Sequence, residues 1–87
     1  MKKIIETDSD EGLIALLGER VLIFCVNYIY EGLLSGVNET CLLLTDANLI
    51  YETGAFNESA YKDAQHLPGS EWYVQISAIE SFGRGKK

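Results

Sequence analysis

The sequence predicts a mainly β domain, a small and strongly bent five-stranded antiparallel barrel behind one short N-terminal helix. Three observations carry that prediction. Val21–Gly36 reads VLIFCVNYIYEGLLSG and Thr40 resumes with TCLLLTDANLIYE, giving three strand-like runs joined by short Asn turns. Gly32 and Gly36 are expected on one face of the second run, since strand side chains alternate with period two, and a strand lacking two side chains bends sharply. Near the end, Trp72-Tyr73-Val74-Gln75-Ile76 alternates strictly, as a half-buried strand does.

The helix is expected over about 8–18. Asp8 or Ser9 can cap it, Asp10 and Glu11 suit its first turn, Gly18 suits its end, and Leu13, Leu16 and Leu17 form its apolar stripe. Strands are expected at about 21–26, 29–37, 40–51, 72–76 and 78–82, with turns at Asn27-Tyr28 and Asn38-Glu39. Asp46-Ala47-Asn48 predicts a kink or bulge inside the third strand. Residues 52–71 break the strand rhythm, and Asn57 is positioned to cap a short helix through Ser59–Gln65 that Leu67-Pro68-Gly69 ends. This long, partly helical excursion precedes a hinge at Ser77 and a last short strand, and residues 83–87 read as a flexible tail. Tyr51, Phe56, Tyr61, Trp72 and Tyr73 are expected to pack the excursion onto the barrel or an adjacent subunit, with a stacking surface for nucleotides as the alternative.

Eighty-seven residues make one domain, close to the size where a single core only just suffices, and 47% hydrophobic content argues against disorder. No apolar run approaches the ~20 residues needed to span a bilayer, and MKKIIETDSDEG lacks a signal-peptide core, so a cytoplasmic protein without membrane contact is expected. Cys25 and Cys41 each sit in an apolar strand without metal or redox spacing, and read as buried thiols. The formal charge is −6, and between Val21 and Gly83 Lys62 alone is basic against eight acidic residues. Nucleic-acid affinity depends on neutralising phosphates, so this acidic body counts against broad RNA or DNA binding. Arg84, Lys86 and Lys87 at one end, with Lys2, Lys3 and Arg20 at the other, read as solubilising ends.

Chemistry-bearing clusters are few. Asp8, Asp10 and Glu11 are explained by helix capping, His66 has no nucleophile at motif spacing, and Gly83-Arg84-Gly85 opens no helix. No catalytic residue, metal site or cofactor is expected, and the chain does not read as an enzyme.

A helix followed by five strands, the second bent at glycine, is the order of an SH3-like barrel. On Gly32-Leu33-Leu34-Ser35-Gly36-Val37-Asn38, Leu42-Leu43-Leu44-Thr45-Asp46-Ala47 and Val74-Gln75-Ile76-Ser77-Ala78-Ile79, the chain resembles the Sm-like family of ring-forming, RNA-associated proteins. The last segment is more similar to the bacterial host-factor branch, and small acidic Sm-like chains of this kind suit a phage as much as a cell. The resemblance runs from about Asp8 to Phe82. It implies a homo-oligomeric ring, pentamer to heptamer, in which one copy's Trp72-Tyr73-Val74-Gln75-Ile76 pairs with the next copy's Ala78-Ile79-Glu80-Ser81-Phe82. An exposed strand edge on so small a chain supplies an independent reason to associate. The resemblance also implies a role in RNA metabolism, with single-stranded RNA met by Asn38, Thr40, Cys41, Gln75 and Ser77. The chain departs from RNA-binding members where they keep a base-contacting pair, here Asn38-Glu39-Thr40-Cys41, and where they keep a basic residue, here near Gln75-Ile76-Ser77. Those departures motivate the alternative, an acidic ring-shaped adaptor for other proteins.

Overall fold

In the computed structural model, residues 11–86 are described. They form one four-residue helix, α1 (Gly12–Ala15), and six strands: β1 (Arg20–Cys25), β2 (Ile29–Val37), β3 (Cys41–Glu52), β4 (Asp63–His66), β5 (Glu71–Gln75) and β6 (Ile79–Arg84). A single 3-10 turn at Ile76–Ala78 separates the last two. The architecture is mainly β, an antiparallel sheet in the order β4-β3-β2-β1-β6, with β5 joined to the same side of β3 as β4. The sheet is not closed among the described residues, since β6 pairs with β1 alone and β4 and β5 pair with β3 alone.

The core lies where β1, β2, β3 and β5 converge. Val21, Ile23, Leu34, Leu42 and Leu44 are fully buried, and Leu16 behind α1, Ala47 and Val74 complete the cluster. Each fully buried aliphatic side chain contributes roughly 1.5–3 kcal/mol, and this small set has to hold the domain.

Two bulges between β2 and β3 bend the sheet. Glu31 faces Asn48 while Leu33 faces Thr45, so β3 carries one extra residue there. Asp46 takes it up at φ 51°, in the left-handed region that Asp tolerates, within the expected kink. Leu34 faces Leu44 while Gly36 faces Leu43, which makes Ser35 the extra residue of β2. That second bulge corrects the expectation that Gly32 and Gly36 share a face. A Cβ on Gly32 would lie 3.2 Å from Leu44 Cβ, Ala47 Cα and the Thr45 carbonyl, whereas one on Gly36 would meet Leu43 at 3.5 Å. Leu43 and Leu44 point to opposite faces, and so do the two glycines.

The remaining differences have local causes. Five strands become six because the excursion contains β4 rather than the expected Asn57-capped helix. Residues 56–60 make turns and bends, and Asp63–His66 pairs with Glu52–Asn48, where β3 offers unpaired backbone beyond the end of β5. The helix is four residues long, with Gly12 at φ 74° at its start and Gly18 at φ 86° beyond its end, and the expected Asp8 and Ser9 caps lie outside the described residues. The hinge at Ser77 is the 3-10 turn. β6 continues past Phe82 to Arg84, and the N–H of Gly85 still donates to the Arg20 carbonyl at 3.1 Å. No described helix is long and apolar enough to cross a membrane.

Candidate functional site

The register of β3 and β5 places Cys41 opposite Gln75, and the Ile76 N–H donates to the Thr40 carbonyl at 2.9 Å. Four of the five expected contact residues, Thr40, Cys41, Gln75 and Ser77, therefore line one open cleft together with Glu39, Tyr73 and Ile76. Asn38 stands beside that cleft with its carbonyl oxygen already in use. Its Oδ1 accepts from the N–H of Thr40 at 2.8 Å, the Thr40 hydroxyl at 3.2 Å and the N–H of Cys41 at 2.9 Å. The side chain acts as an Asx cap that fixes the turn between β2 and β3, and so aims Thr40 and Cys41.

Glu39 is the one charged residue lining the cleft. The four described cations are engaged elsewhere. Arg20 forks onto Glu31, Nε to Oε2 at 2.7 Å and Nη2 to Oε1 at 2.8 Å, while Nη1 reaches Asp46 Oδ2 at 3.0 Å and Nη2 the Asp46 carbonyl at 2.8 Å. Arg84 holds Glu19 at 2.6 and 3.0 Å, a hydrogen-bonded contact that lowers the Glu19 pKa and raises that of Arg84. Lys62 lies 3.4 Å from Glu52, and Lys86 donates to carbonyls of residues 53–60. Arg84 and Lys86, read from the sequence as solubilising tail charges, are in fact structural contacts.

The expected interface residues divide by strand alternation. On β5, Tyr73 is 62% exposed and Gln75 also points outward, whereas Val74 belongs to the core and Trp72 packs against it. On β6, Ser81 and Phe82 are exposed and Ile79 packs against the core. Ile76 and Ala78 are half-buried in the turn between them. Among the described residues the outer backbone edges of both strands are unpaired, so buried Val74 can join an interface only through its backbone.

Three features escaped the sequence. The first is the polar node on the outer face of β1 and β2. Glu31, buried, takes both Arg20 contacts and an Asn48 Nδ2 bond at 2.8 Å. His66 Nδ1 lies 3.2 Å from Asn48 Oδ1, which ties β4 into the node. A glutamate inside the apolar run YIYEGLL, with an arginine nearby at the start of the preceding strand, was the available signal. The second is an aromatic groove formed by Tyr28, Tyr30, Tyr51 and Trp72 with Leu49 and Leu67. Of the aromatics expected to pack the excursion, Tyr61 does so and Phe56 stays exposed. The third is the setting of Lys86.

Among the described residues no group of three or more His, Cys, Asp or Glu is placed to hold a metal ion. Cys25 and Cys41 are free thiols, and burial raises the pKa of Cys25. Comparison with protein-family models, with curated proteins and with solved structures finds no match to this chain.

Proposed function

We propose that this chain is a subunit of a homo-oligomeric Sm-like ring in which β5 of one copy pairs with β6 of the next, presenting the Thr40–Cys41–Gln75–Ser77 cleft of every copy to single-stranded RNA. One observation carries the assembly: β5 and β6 are consecutive strands whose outer edges are both unpaired among the described residues, with Tyr73 and Phe82 exposed along them. Edges of that kind pair with another chain unless they are blunted, and neither strand contains proline or lysine. A head-to-tail join between two different edges repeats until it closes, which produces a ring. The strand order β5-β3-β2-β1-β6, with a 3-10 turn before β6, fits the barrel that the sequence resemblance implies.

In the cleft, Gln75 and the hydroxyls of Thr40 and Ser77 offer donors and acceptors to base edges, and exposed Tyr73 offers a stacking face. With Glu39 beside them and the described cations engaged, recognition there rests on bases rather than phosphates, and its salt dependence is shallow.

The same charge pattern favours a second reading, an acidic ring that docks proteins. Native mass spectrometry with and without U-rich and A-rich oligonucleotides separates the two. A closed pentamer to heptamer that gains RNA mass supports the first. A ring that takes no RNA at tens of micromolar, roughly the range of non-specific contacts, leaves the adaptor. A monomer at the same concentration overturns both. Phe82→Asp, which places a charge on the β6 edge, is expected to shift the ring to monomer.

A further inference from the structure

Residues 53–61 form a cation site that is occupied by the chain's own lysine. Beyond β6, the Lys86 N–H donates to the Tyr61 hydroxyl at 3.0 Å, and the side chain enters the turn-rich segment 53–61. Its Nζ donates to the carbonyl oxygens of Thr53, of Ala55 at 2.8 Å and of Ala60 at 3.0 Å. An ammonium has three N–H donors, and here three acceptors meet them. The same nitrogen lies 5.0 Å from the centre of the Tyr61 ring and 5.6 Å from that of Phe56, inside the ~6 Å over which a ring face attracts a cation. Gly54, at φ 72° between two of the three carbonyls, gives the backbone a left-handed turn that few other residues adopt. Tyr61 is half-buried and raised in pKa by that burial, so the cage is anchored on the body of the domain.

We propose that residues 53–61 form a receptor for a primary alkylammonium, with Lys86 as its resident ligand. Three converging carbonyls match –NH3+. They leave a quaternary ammonium without donors to offer, and a planar guanidinium cannot aim its N–H groups into the same cone. Lys86 is thus a charge-dependent latch that fastens the end of β6 to the segment between β3 and β4. Acylating it removes the charge and two of its donors together, and a lysine side chain from elsewhere can take the emptied cage. The site is separate from the cleft and independent of what the cleft binds.

The test begins on the intact protein. Limited acetylation with an N-hydroxysuccinimide ester, followed site by site with mass spectrometry, compares Lys86 with Lys62, which is exposed and lies 3.4 Å from Glu52. Lys86 is expected to react at least about tenfold more slowly, the protection that one charged hydrogen-bonded contact supplies. Equal rates overturn the latch. Lys86→Met then empties the cage while keeping an apolar stem. In that variant the amide resonances of Gly54, Ala55 and Tyr61 are expected to shift saturably with butylammonium chloride, and not with butanol or sodium chloride. The unaltered protein should not respond. The same response in both proteins, or none in the variant, overturns the receptor. If the variant does not fold, the labelling ratio in the intact protein decides.

Discussion

On the side away from β2, β3 has two partners, and its two halves are held in different ways. Cys41–Thr45 pairs with β5 and turns Leu42 and Leu44 into the core, where Val74 lies opposite Leu42. Asn48–Glu52 pairs with β4, whose four residues are all exposed. Its side-chain contacts are polar, with the Tyr51 hydroxyl donating to Gln65 Oε1 at 2.8 Å and His66 meeting Asn48 at 3.2 Å. Asp46, at φ 51°, marks the change between them. Apolar burial fixes the partner of the first half, because a slip of one residue would turn its leucines outward. The second half turns only Ile50 inward and β4 adds no buried side chain opposite it, so the β3–β4 pairing is held by backbone bonds and exposed contacts, each worth ~1 kcal/mol or less. The first half therefore positions the cleft, while the second carries the loop that cages Lys86.

The largest expected effect breaks the first half. Leu44→Ala removes a fully buried side chain beside the β5 pairing and is expected to cost about 2–5 kcal/mol. Tyr51→Phe, which deletes the exposed bond to Gln65, is expected to cost about 0.5 kcal/mol or less. Urea denaturation of both variants measures the contrast. Similar losses would mean that β4 is as firmly specified as β5.

The same division explains what could be read from the sequence. VLIFC, the leucines of β3 and the alternation of Trp72–Ile76 announce buried faces, and their strands lie within a residue or two of expectation. Asp-Ala-Gln-His has no buried face, and its strand character comes from the free backbone of β3, which no local pattern records. The extra residue at Ser35 was equally hidden, and it reversed the facing of Gly36. The cleft residues were singled out through the resemblance alone, and it is the β3–β5 register that brings Thr40, Cys41, Gln75 and Ser77 together. The cage around Lys86 was not legible, since its acceptors are backbone carbonyls and every residue type supplies one.

A smaller effect is expected at the node that joins β1 and β2 to the second half of β3. Glu31→Ala strands the Arg20 guanidinium and the Asn48 amide. The Glu31 side chain is 6% exposed and that of Arg20 38%, so solvent recovers part of the Arg20 charge, and the loss is expected near 2 kcal/mol. Replacing both members of the pair by apolar residues, Arg20→Met with Glu31→Leu, should recover most of it. If the double variant is as unstable as the single one, the pair stabilises the fold outright rather than selecting its register.

The two glycines of β2 give a finer contrast. Gly32→Ala places a Cβ 3.2 Å from the backbone of β3 at its bulge, and is expected to cost about 1–3 kcal/mol. Gly36→Ala meets the Leu43 side chain at ordinary contact distance, and should be neutral or stabilising by about 0.5 kcal/mol, because alanine loses less backbone freedom on folding. Thermal denaturation of both variants reads the difference. Equal costs would mean that the bend at Ser35 does not separate their environments.

The smallest effect appears in alkali. Burial raises the pKa of Cys25 from its ordinary 9.0, and those of Tyr30 and Tyr61 from 10.0. All three are neutral when protonated, so the folded state holds the proton to a higher pH than the unfolded chain does. Their contribution to stability is complete below the unfolded values and is lost as pH rises through the folded ones. Denaturation curves between about pH 8 and 11 should therefore be flat at first, fall once Cys25 can ionise in the unfolded chain, and steepen when the tyrosines follow. Cys25→Ala should delay the onset, while Tyr61→Phe should soften only the later fall, and loosen Lys86 with it. Flat stability across the whole range would mean that solvent reaches these three groups as freely in the folded domain as in the unfolded chain.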